Sequence, residues 1–88
     1  MTSANEMEQP IPYESRFPIG TRVRIADLKE LARFQADWQN HHPLEPEQLD
    51  YAGMVATVRE VTYYHNGDPL YTLEDVPGVW HEQCLRAV

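Results

Sequence analysis

The chain has 88 residues, 42% of them hydrophobic and 24% charged, and carries a formal net charge of -7. Such numbers describe one small domain of ordinary globular composition; a domain of this size buries only about 60% of the surface its unfolded chain exposes, which leaves little room for a deep catalytic cavity. The negative field repels phosphate backbones and anionic lipid, and no run approaches the roughly 20 apolar residues that span a bilayer, so neither a nucleic acid nor a membrane is the expected partner.

Residues 1 to 16 are polar, contain Pro10 and Pro12 and show no period. Such a stretch cannot offset the entropy of ordering its backbone, so it is expected to be a flexible arm ahead of a domain at residues 17 to 88. It has neither the basic nor the apolar region of a secretion signal, and a single Cys makes no internal disulfide, so the cytoplasm is the expected compartment.

In FPIGTRVRI, the apolar Ile19, Val23 and Ile25 stand apart from Arg22 and Arg24, which predicts a first strand from about Thr21 to Ala26 with one face in the core. The period then changes. Leu28, Leu31, Phe34 and Trp38, with Ala32 beside them, follow the spacing of one helical face; Asp27 and Glu30 offer a capping-box-like start, and Asn40 before His41-His42-Pro43 marks the stop. The next loop holds Pro46, suited to opening a single helical turn with Glu47 near its positive end, and Leu44 and Leu49 as anchors; Gly53 is expected at a sharp bend.

Two β-rich runs follow, at 54 to 64 and 70 to 75, separated by Asn66-Gly67, the dipeptide that suits a two-residue type I′ hairpin turn. Val55, Val58 and Val61 recur every third residue, which strict alternation cannot place on one face, so a bulge near Arg59 and Glu60 is predicted. In the second run Tyr71 and Leu73 point one way, Thr72 and Glu74 the other. Pro77-Gly78 has the order of a type II turn. A short strand at Val79 and Trp80, a tight turn at HEQC and a last strand from Leu85 to Val88 complete the reading.

The fold class is therefore mainly β: five short strands with one α-helix inserted after the first, too few for a sandwich and suited to a small closed barrel without free edges. In the order FPIGTRVRI, YAGMVATVREV, PLYTLED and VWHEQCL, residues 17 to 88 resemble an SH3-like barrel, in particular the C-terminal domain of the nitrile hydratase beta subunit. That family carries a long helical part before its barrel, where this sequence shows a polar arm. It also tends to carry an Arg-Gly pair soon after a Tyr, where this sequence reads Tyr51-Ala52-Gly53, and its metal is held by a Cys-rich partner. The resemblance implies a scaffold that clamps a partner protein, with no ligands, cofactor or catalytic residues of its own.

Two groups of residues could carry chemistry. His81 and Cys84, with Glu82 between them, have the spacing to reach one metal or to form a thiol and base pair. A metal needs three or four converging ligands, however, and His41, His42 and His65 would have to come from distant loops. An acidic setting raises a thiol pKa where a nucleophile needs it lowered. The expected role of Trp80-His81-Glu82-Gln83-Cys84 is core completion. The second group is aromatic: Tyr63, Tyr64, Trp38 and Trp80 are the candidate binding residues, because exposed rings are enriched where SH3-like domains grip extended or Pro-rich segments. A non-catalytic protein-binding module is thus the expected function. The alternatives are a nitrile-hydratase-beta-like scaffold or maturation partner of a metalloenzyme, and a small metal- or thiol-dependent enzyme using His81 and Cys84.

Overall fold

The computed structural model describes residues 15 to 65 and 67 to 88. The predicted arm, apart from Ser15 and Arg16, lies outside the described residues. Five strands form one antiparallel sheet: β1 (Arg22–Ile25), β2 (Val55–Tyr63), β3 (Pro69–Leu73), β4 (Val76–His81) and β5 (Leu85–Ala87). One helix, α1 (Leu28–Asp37), follows β1, and short 3-10 helices lie at Pro46–Tyr51 and Glu82–Cys84. The mainly β class with a helix after the first strand is as the sequence indicated.

The sheet order is β4-β3-β2-β1-β5, with first and last strands side by side: Val23 pairs with Ala87 and Ile25 with Leu85. β4 and β5 do not pair with each other, so the sheet is not closed into a barrel as expected. The outer edge of β4 is met instead by the 3-10 helix at Pro46–Tyr51, whose Gln48 donates from Nε2 to the Val79 carbonyl at 3.0 Å. A side chain from a helical turn thus covers an edge that another strand would otherwise occupy.

In β1 the expected alternation holds, with Val23 and Ile25 buried between exposed Arg22 and Arg24; Ile19, which lies before the strand, is 67% exposed instead of joining that row. Asp27 caps α1 by accepting from the Glu30 backbone N–H at 2.8 Å. The helix ends at Asp37, earlier than Asn40, because Trp38 turns to extended backbone. Its apolar stripe is only partly used: Leu31 is buried and Phe34 and Trp38 are half-buried, while Leu28 is 57% exposed. Gly53, at φ +80°, brings its N–H to the carbonyls of Ile25 and Ala26, fixing the bend before β2.

The predicted bulge is present: the β2–β3 register shifts between Val58 and Glu60, leaving Arg59 as the extra residue. The connection after β2 is longer than a two-residue turn. Tyr63 pairs with Pro69, and the Tyr64 N–H donates to the Asp68 carbonyl at 2.9 Å, so the strands part beyond that pair; Gly67 takes φ +93°, and Asn66 lies outside the described residues.

Pro77-Gly78 is not a turn either. Leu73 pairs with Val76, so Glu74 and Asp75 make the two-residue turn, with Asp75 at φ +64°. Pro77 and Gly78 lie within β4, where the register shifts between Tyr71 and Leu73. Pro lacks a ladder donor and Gly supplies positive φ, and a bulge requires both tolerances as much as a turn does. The core gathers Phe17, Val23, Ile25, Leu31, Leu44, Val58, Tyr71, Leu73, Trp80, Cys84 and Leu85. Among the described residues no helix is long and apolar enough to cross a membrane.

Candidate functional site

The end of α1, the segment after it and the β2–β3 loop converge. Trp38 sits at the helix C-terminus, where its ring stacks on Phe34, one turn back, at 5.2 Å between centroids and 17° between planes. Its indole Nε1 donates to the His41 carbonyl at 2.6 Å, which folds the chain back beneath the ring. His41 then lies flat on Tyr64, with centroids 3.7 Å apart and planes 12° apart. The His41 Nε2 faces Asp68 Oδ2 at 3.1 Å, and its Nδ1 faces His42 Nδ1 at 3.0 Å. When Nε2 carries the proton toward the carboxylate, Nδ1 is the acceptor and His42 the donor, so one carboxylate orders two rings.

His81 anchors this cluster from below. It is 2% exposed, and its Nε2 donates to the His42 carbonyl at 2.8 Å while its ring lies 4.7 Å from that of Trp38. Burial pushes its pKa below the ordinary histidine value; the His42 carbonyl works against this, and the neighbouring His41 and His42 add to it. A neutral Nε2–H imidazole is the form that suits this donor bond.

Above these groups opens a cleft of about 360 Å³, lined by Trp38, Asn40, His41, Tyr64 and Asp68. Two of the four predicted binding residues, Trp38 and Tyr64, therefore share one recess. Tyr63, half-buried at the end of β2, is not among its lining residues. As a binding residue Trp80 is a correction: it is 0% exposed and pairs with Tyr71 inside the sheet, so its ring completes the core, the other role expected of it, and forms no contact surface. His41, Asn40 and Asp68 were absent from the sequence-derived binding set. The His41-His42 pair was a visible signal, but the contact with Asp68 depends on where the β2–β3 loop is carried by its register.

The other candidate group does not assemble. Cys84 is 1% exposed, and burial pushes its thiol up to about 12, so the neutral thiol is the stable form. The His81 Nε2 is committed to a backbone carbonyl. Among the described residues no set of three or more His, Cys, Asp or Glu side chains is placed to hold a metal ion. Glu82 serves the fold: its Oε2 accepts from the Tyr71 hydroxyl at 2.6 Å and from the Arg16 backbone N–H at 2.8 Å. Comparison with protein-family models, curated proteins and solved structures returned no match.

Proposed function

We propose that this chain is a non-catalytic protein-binding module of the SH3-like kind, which holds a segment of another protein in the cleft between Trp38 and Tyr64. The observation that carries the reading is the convergence itself. A helix end and a hairpin loop, far apart in sequence, bring two aromatic rings to one solvent-open recess, and amphipathic rings at a concave surface supply contact area at low entropic cost. The pairing of β1 with both β2 and β5 supports the SH3-like reading, since it brings the first and last strands together. The resemblance to the nitrile hydratase beta subunit fits the same role as a partner-holding scaffold.

The test is to isolate a binding partner from cell extract and then map the contact on the purified complex by amide chemical shifts. The expected perturbations fall on residues 38 to 41 and 64 to 68, and Tyr64→Ala weakens the complex by about tenfold or more, as removal of an interface aromatic commonly does. Perturbations confined to other surfaces overturn the reading.

A further inference from the structure

The lining of the cleft specifies the charge of its occupant. Besides its rings it presents a carboxylate, Asp68, whose side chain is 44% exposed, and among the described residues no Lys or Arg lines it. Asp68 meets His41 through Oδ2, and its carboxylate is exposed enough to accept further hydrogen bonds. Asn40, exposed at the rim, adds an amide oxygen. The chain as a whole carries a net charge of -7, which favours basic over acidic partners in general.

We infer that the cleft receives an arginine side chain from a basic segment of the partner, with its guanidinium donating to the exposed carboxylate of Asp68 and its plane lying along the aromatic wall. This rests on the protein-binding reading above and names the chemistry of the bound segment. Arginine suits the recess better than lysine for two reasons. A planar, weakly hydrated guanidinium gives up less solvation against rings than a compact ammonium does, and it can bond to a carboxylate while stacking. Bonds between ionised groups are also shorter and stronger than neutral ones, so a single carboxylate in a partly enclosed recess discriminates by charge. A neutral Pro-rich segment would leave the Asp68 oxygen facing the contact without a donor, which costs affinity.

Three short Gly/Ser peptides that differ only at one central residue test this: arginine, citrulline, its uncharged near-isostere, and lysine. Each is titrated into the isotope-labelled full chain. With the arginine peptide, saturable shifts are expected at the Trp38 indole N–H and at the amides of His41, Tyr64 and Asp68. Binding is expected to be about tenfold weaker with citrulline, as loss of one charged hydrogen bond implies, intermediate with lysine, and weaker for arginine as salt is raised. Asp68→Asn should bring the arginine peptide down to the citrulline level; the citrulline arm leaves the protein unaltered, so the test does not depend on how that variant folds. Equal binding of arginine and citrulline peptides overturns the inference. So do unsaturable shifts scattered over the acidic surface, and a failure of all three peptides. Each of these leaves the protein-binding reading intact if an isolated partner still maps to the cleft; that reading fails only if the partner maps elsewhere.

Discussion

Cys84 and Tyr71 show why the residues that look most reactive are structural. Each has its neutral form favoured by burial, with the Tyr71 hydroxyl also pushed up to about 12, in its case with help from the neighbouring Glu82 carboxylate. The Tyr71 hydroxyl and the Arg16 N–H share Glu82 Oε2, and the Tyr71 ring meets Phe17 edge to face at 5.9 Å, so the chain entry is tied to the sheet interior through one carboxylate. For Cys84, the raised pKa means that very little of the thiol ionises at neutral pH. The native thiol is therefore expected to be inert toward a disulfide-exchange reagent and to react at once in denaturing urea. Stoichiometric labelling of the folded protein within minutes would show an open, activated thiol and restore the thiol-enzyme alternative. Trp80, His81 and Cys84 thus end buried, while Glu82 and Gln83 between them keep contact with water.

Among the elements, β4 is the strand that sequence reasoning handled least well and on which the packing of the Pro46–Tyr51 helix depends. Gly78 sits in it at φ +99°, and a Cβ there would lie 2.8 Å from Gln48 Nε2. That amide is the group covering the strand edge, bonded to the Val79 carbonyl while its Oε1 accepts from the Glu45 N–H at 2.8 Å. Gly78→Ala therefore combines unfavourable backbone geometry with displacement of a buried, doubly bonded side chain. A loss of about 2 to 4 kcal/mol is expected, from about 1 to 3 for the backbone and the rest for the hydrogen bonds, and urea denaturation measures it. A loss below about 0.5 kcal/mol, the range of an ordinary surface substitution, would mean that Gln48 does not hold this edge. The exposed Arg86 to Glu30 pair, although 2.7 Å long, joins α1 to β5 with far less effect, since solvent-exposed pairs are worth little.

On the scale of the whole molecule, His81 links fold stability to pH. Its folded pKa lies below its unfolded one because burial disfavours the charged ring. The unfolded chain therefore binds the proton more readily. Stability is full above the ordinary histidine value of about 6.5 and falls as pH drops from there toward the lowered folded value. His81→Gln keeps an N–H able to reach the His42 carbonyl but does not titrate. Melting temperature followed from pH 8 to pH 5 should consequently fall less steeply in the variant than in the parent, whatever the offset between them. Parallel curves would mean that the ring is charged or solvated in the folded state, contrary to its 2% exposure.

The amino-acid sequence by itself determined the alternation of β1, the capped helix after it, the Pro46 turn and the Arg59 bulge. Each follows from side-chain period or backbone preference acting over a few residues, and such preferences are present before any distant contact forms. Tertiary structure alone decided that Pro77-Gly78 bends a strand instead of turning it, that Gln48 covers the edge a closed barrel would have paired, and that His41 meets Asp68 beside Tyr64. These depend on which remote backbone arrives opposite a given residue, and register, unlike propensity, is a property of the assembled sheet.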